Sequence, residues 1–154
     1  MSQPAPYRTA IVGTGGIAAA HAGALRDQSG RAEIVAAVDV DAGRAEEFAA
    51  KWSVPRSATA LTDVLEQERI DLVHICTPPG SHVELAEQAL AAGATVVVEK
   101  PVAVSLESVD RLLKAEDASA GSVAVVSQHR FGSGAERLRG IVASGAFGRP
   151  LVAT

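Results

Sequence analysis

The sequence predicts an α/β domain built on a doubly wound parallel sheet, and three observations predict it. Short β-branched runs alternate with alanine-rich stretches of helical period along nearly the whole chain. The runs from Ile34 to Val38 and from Thr95 to Val98 are apolar throughout instead of alternating, as strands covered on both faces are. The first apolar run, Thr9 to Val12, passes directly into a glycine-rich turn.

Taken in order, Thr9 to Val12 is read as a strand before a helix over Ile17 to Gln28, and Ala32 to Val38 as a strand before a helix over Ala42 to Trp52. Asp41 is placed to cap that second helix, and Trp52 closes it in a packing role. A weaker unit covers Val54 to Thr59 and a helix from Leu61 to about Gln67. The strand Asp71 to Cys76 precedes a helix over His82 to Ala92, Thr95 to Val98 precedes Leu106 to Ala118, and Ser122 to Val126 precedes Ala135 to Ala143. Alternating β and α units imply right-handed crossovers and a parallel sheet wrapped by helices.

The chain has 154 residues, of which 47% are hydrophobic, enough for one domain with a real core. That domain is expected over residues 1–146. The stretch from Gly145 reads as a helix stop followed by the opening of another strand, which makes 147–154 the start of a second, missing domain, with a frayed terminal tail as the alternative. A net charge of −4 without a lysine- or arginine-rich run argues against nucleic-acid and membrane-surface partners and leaves a small molecule as the ligand. The single cysteine, Cys76, excludes an internal disulfide and a clustered thiolate metal site, so no metal is expected. The start of the chain lacks the regions of a signal peptide, and no apolar stretch approaches the roughly 20 residues that span a bilayer. A cytoplasmic protein is the expectation.

Four motifs carry chemistry. Gly13-Thr14-Gly15-Gly16-Ile17-Ala18 fits G-x-G-x-x-G/A: the first glycine permits the tight turn, the second lets backbone approach a pyrophosphate, and a small last residue lets the helix pack on the sheet. Asp39 ends the second strand about 20 residues further on, where a carboxylate accepts hydrogen bonds from an adenosine ribose and repels a 2′-phosphate. NAD is therefore expected over NADP, with Arg44 close enough to leave the preference open. Thr77-Pro78-Pro79-Gly80-Ser81-His82 forms a stiff turn after the fourth strand. In a sheet ordered 3-2-1-4-5-6, this turn and the glycine loop straddle one crevice. His82 is either a support for the nicotinamide half or the partly buried first residue of a helix. His74 reads as a satisfied core histidine and Cys76 as a small core hydrophobe.

Glu99-Lys100-Pro101 follows the fifth strand and puts an ammonium where such sheets do chemistry. Lys100 has a neighbouring carboxylate as charge partner and a proline that stiffens the backbone, two things that hold a proton donor in place. Only Lys51, Lys100 and Lys114 are lysines among fourteen basic residues. An ordinary surface ion pair before a turn is the competing reading. At the last strand end, Gln128 and His129 fall nearer the projected nicotinamide, whereas Arg130 either meets an anionic or hydroxylated substrate or ties down the next helix through Glu136.

Together, the glycine turn at 13–18, Asp39, the Thr77-to-His82 turn and Glu99-Lys100-Pro101 resemble the glucose-fructose oxidoreductase/inositol dehydrogenase/rhizopine catabolism (Gfo/Idh/MocA) family over almost the whole chain. The resemblance implies an N-terminal Rossmann domain carrying NAD(P) and a C-terminal α/β domain that binds a sugar, cyclitol or related polyol and commonly forms the interface of a homo-oligomer. It also implies that Lys100 lies beside the nicotinamide and the reacting carbinol. An Asp and a His from the second domain would complete proton transfer. The chain stops before either, so a cofactor-binding domain inactive alone is expected. The implied cofactor contacts are Gly13, Gly15, Gly16, Ile17, Asp39, Thr77, Pro78, His82, Glu99, Lys100, Pro101 and Gln128. Two rivals stay open, a non-catalytic dinucleotide sensor or scaffold and, with less support, a methyltransferase.

Overall fold

In the computed structural model, which describes residues 5–28, 30–146 and 148–149, six parallel strands form one sheet in the order β3-β2-β1-β4-β5-β6. The strands are β1 (Tyr7–Val12), β2 (Ala32–Val38), β3 (Ser57–Ala58), β4 (Leu72–Ile75), β5 (Thr95–Val98) and β6 (Val123–Val125). The helices are α1 (Ala18–Arg26), α2 (Ala42–Trp52), α3 (Leu61–Leu65), α4 (His82–Ala91), α5 (Leu106–Asp117) and α6 (Ser133–Ala143). The order reverses at β1, which pairs with β2 on one side and β4 on the other.

Side chains alternate across the sheet and build a core on each face. Ala10, Val12, Val73, Ile75, Val96 and Val98 pack with Leu61, Val64, Val83, Ala86, Leu90 and Leu112 from α3, α4 and α5. Ile11, Ala37 and Cys76 point the other way, onto Ala18, Ala22 and Leu25 of α1 and Phe48 and Ala49 of α2. Ala18 and Ala22 are fully buried, so α1 lies close against the strands that lead to the site.

Local chemistry sets the boundaries. Asp41 caps α2 by accepting from the Arg44 N–H at 3.1 Å, as its position predicts, and Ser105 caps α5 in the same way from Ser108. β3 is shorter than its predicted run because it is an edge strand preceded by Pro55, which has no N–H, and it meets β2 only at Ala37–Ser57 and Val38–Ala58. Between β1 and β2 the register slips once, so that Thr9 faces Ile34 while Ala10 faces Ala36. Val35 is the extra residue, and the slip aligns Val12 with Val38 at the site end of the sheet. Trp52 packs beside Phe48, under the Arg26 guanidinium.

No residue of α6 is buried, and Leu138 on it is largely exposed. Residues 147 and 150–154, which include most of the predicted second-domain start, lie outside the described residues. No helix of the described residues is long and apolar enough to cross a membrane.

Leu90→Ala, which empties a site between sheet and helices, should destabilise the domain by about 2–5 kcal/mol in urea denaturation. Leu138→Ala should change stability by no more than about 0.5 kcal/mol in the same measurement.

Candidate functional site

The carboxyl ends of β1, β2 and β4 surround a cleft of about 630 Å³ at the point where strand order reverses. Gly13 makes this arrangement possible. Its φ is +83°, and a Cβ there would lie 2.8 Å from the backbone of Cys76 and Thr77, so no side chain fits between β1 and the turn after β4. Gly15 and Gly16, by contrast, face open space. No side chain caps the α1 N-terminus, and the Gly15, Gly16 and Ile17 N–H groups have no backbone partner among the described residues. Free N–H groups at a helix start, next to space without side chains, fit a pyrophosphate.

Asp39 reaches across this turn. One carboxylate oxygen accepts from the N–H and hydroxyl of Thr14, both at 2.9 Å, while the other accepts from the Asp41 N–H at 3.0 Å and from Arg44 Nη2 at 2.8 Å. Burial by itself raises the carboxyl's pKa, but the four donors outweigh it and bring it down to about 2. Asp39 is thus ionised, with both oxygens in use. The guanidinium on it belongs to a half-exposed side chain, and is the donor most easily displaced.

The turns after β4 and β5 are held together by His82. Its ring is 1% exposed, with Nε2 2.7 Å from the Thr77 carbonyl oxygen and Nδ1 2.9 Å from that of Pro101. Both nitrogens are occupied by backbone, so His82 is a staple between two loops instead of a group facing a ligand. The Ser81 hydroxyl donates to Thr77 Oγ1 at 2.8 Å, which stiffens the same turn. The Lys100–Pro101 peptide is cis.

Beneath these turns the structure departs from the expected pairings. Glu99 is buried and forms no ion pair with the Lys100 ammonium: Oε1 lies 3.1 Å from His21 Nε2, and Oε2 accepts from the Lys100 backbone N–H at 3.1 Å. Burial raises the Glu99 pKa, but the His21 ring and that N–H overcome it and hold the carboxyl below its ordinary range. His74 is not a satisfied core histidine. Its Nδ1 meets His21 Nδ1 at 2.8 Å, while its buried Nε2 has no partner among the described residues. Burial and then the neighbouring His21 lower its pKa to about 4, so it is neutral at neutral pH. Cys76 is a buried thiol pushed up to about 12, first by burial and then by the Glu99 charge.

Of the residues expected at the site, Gly13, Gly15, Asp39, Thr77 and Pro78 line the cleft. Gly16 and Ile17 are exposed at the start of α1, and Lys100 and Pro101 are exposed beyond β5, at the same edge of the sheet. Gln128 is exposed on a short 3₁₀ turn after β6 and is absent from the cleft lining. The Arg130 tie to Glu136 does not form: the Arg130 carbonyl accepts from Arg139, and no ion pair joins it to Glu136 among the described residues. Sequence reasoning passed over Thr14, which holds Asp39, and His21, which holds Glu99. The second could have been noticed as one of only four histidines, placed in the helix that opens at the glycine turn.

A glycine turn against a helix start, an ionised aspartate across from it and a cleft at the switch point define a dinucleotide-binding domain. The profile of the Gfo/Idh/MocA oxidoreductase family, NAD-binding Rossmann fold, matches residues 7–127, and the chain belongs to that family as its NAD-binding domain. Inositol 2-dehydrogenase of Rhodococcus erythropolis is 31% identical over 153 residues, which are 99% of this chain and 44% of that enzyme. A 4-carboxy-2-hydroxymuconate-6-semialdehyde dehydrogenase of Sphingobium is 33% identical over 80% of the chain and 38% of its own length. The WlbA dehydrogenase of Bordetella pertussis, solved in complex with NADH and UDP-GlcNAcA, superposes with a TM-score of 0.90 at 31% identity, over 97% of this chain and 43% of that one. The chain therefore spans less than half the length of the relatives it matches.

Two results follow for stability. Because the Asp39 pKa is lowered from 3.8 to about 2 in the folded state, its contribution, about 2 kcal/mol, is fully present above pH 4 and disappears as pH falls through 2. Denaturation from pH 2 to 5 should show that slope in the wild type and a shallower one in Asp39→Asn, where Asp71 and Glu99, also held below the ordinary carboxylate range, keep their share. Gly13→Ala, strained in φ and in contact distance, should destabilise by about 2–4 kcal/mol.

Proposed function

We infer that the complete protein is an NAD-dependent dehydrogenase acting on a secondary alcohol, or the corresponding ketone, of a sugar, cyclitol or similar polyol, with residues 1–146 as its cofactor unit. The observation that carries this reading is the meeting at one sheet edge of the glycine turn, the ionised Asp39 and Lys100. The relatives named inositol 2-dehydrogenase support the substrate class, and so does the UDP-sugar bound by the WlbA dehydrogenase.

When bound, NAD supplies a hydride acceptor or donor at its nicotinamide. The free N–H groups of Gly15, Gly16 and Ile17 hold the pyrophosphate, and the bare glycine surface lets it approach. Asp39 takes the adenosine ribose hydroxyls in place of the Arg44 guanidinium. Thr77 and Pro78, fixed by His82 and Ser81, form the opposite wall. Lys100 donates a hydrogen bond to the substrate oxygen and, by its charge, favours the alkoxide-like transition state. The Asp39 carboxylate disfavours a 2′-phosphate, so NAD is preferred to NADP.

In the full-length protein, Lys100→Ala should lower turnover of the best substrate among myo-inositol, scyllo-inositol and UDP-sugars by about 10²–10⁴-fold. The NAD dissociation constant should change by less than about threefold. Unchanged turnover would remove Lys100 from the reaction. Calorimetry should show NAD binding at least about tenfold tighter than NADP, and Asp39→Ala should narrow that ratio.

A further inference from the structure

A line of polar groups runs through the interior just below the site. His74 of β4 meets His21 of α1 at 2.8 Å, His21 meets Glu99 at 3.1 Å, and Glu99 accepts from the Lys100 backbone N–H at 3.1 Å. All three side chains are at least nine-tenths buried. They are strung out between strand, helix and loop, and no three-residue ligand set converges among the described residues, so the line is not a metal site.

Donor chemistry settles the direction of the contact that matters. An ionised carboxylate only accepts, so His21 Nε2 carries the proton toward Glu99. The second Glu99 oxygen is taken by the backbone of Lys100 itself. The carboxylate is thereby held at both ends, by the helix that begins at the glycine turn and by the peptide from which the lysine side chain departs. The Lys100 ammonium makes no ion pair among the described residues and is left for another use. An apolar side chain at position 99 would avoid the desolvation of a buried charge. What Glu99 adds is an acceptor that joins Lys100 to α1.

The geometry points to His21 as a positioning residue for Lys100, acting through Glu99 and braced from behind by His74. Its task is to keep the lysine in register with the helix start that faces the dinucleotide. This rests on the reading above, in which Lys100 serves the reaction; His21 itself touches neither substrate nor cofactor.

Three lysines make the link measurable without a substrate. In the full-length protein, competitive labelling with acetic anhydride, read by mass spectrometry, compares Lys100 with Lys51 and Lys114 as internal references. His21→Leu should change the relative rate at Lys100 by at least about threefold. His21→Gln, whose side-chain amide keeps an N–H donor for Glu99, should restore it to within about twofold of the wild type. A folded His21→Leu protein with an unchanged Lys100 rate would overturn the proposal. So would failure of His21→Gln to restore the rate, since that is the mark of a role in packing alone. If His21→Leu does not fold, Glu99→Gln takes its place, with the same change expected and an unchanged rate again decisive against the link. The Lys100→Ala turnover measurement is separate: full activity there ends the catalytic reading of Lys100, whereas the labelling result tests whether His21 governs the lysine's surroundings.

Discussion

The close approach of Gly13 to the backbone of Cys76 and Thr77 is the constraint on which the rest of the site depends. With no side chain between them, the end of β1 and the turn after β4 lie in contact, and the cleft opens between the glycine turn and the Thr77 turn instead of being filled by them. Parallel pairing does the remainder. Val12, Val38, Ile75 and Val98 stand side by side at the ends of their strands, so the segments that follow, beginning at Gly13, Asp39, Cys76 and Glu99, emerge along one rim. A sheet with any strand reversed would send one of them to the opposite edge.

Two buried carboxylates occupy that rim, and they are treated differently. Asp39 lies on the cleft, with two donors from Thr14 of the glycine turn and two from Asp41 and Arg44 just beyond Asp39 itself, the last an exposed arginine that can leave. Glu99 lies beneath the rim, and its side-chain partner comes from α1, 78 residues earlier in the chain. The first arrangement leaves a carboxylate that can exchange a partner for a ligand. The second leaves one whose partners are fixed, which suits a support better than a contact.

The alternation of β-branched runs with alanine-rich stretches carried the succession of strands and helices and the sheet covered on both faces, because periodicity is a local property that survives into the folded state. The glycine turn and the Asp41 cap were legible for the same reason: each is a demand of a few consecutive residues on their own backbone. Element ends were read less well. β3 was read too long because a proline at an edge strand removes pairing without removing apolar character.

What the sequence by itself determined was the kind of sheet, the places where its turns fall and the family to which the chain belongs, since these follow from patterns along the chain. Only the tertiary structure decided the partners. His21 and His74 are 53 residues apart, and His21 and Glu99 are 78 apart, and nothing near any of them announces the contact. The same is true of His82, whose ring could have faced a ligand until packing surrounded it with two carbonyl oxygens. Buried polar groups take whichever partner the fold brings within reach, because leaving one unpaired is costly, and that choice is made across the core, not along the chain.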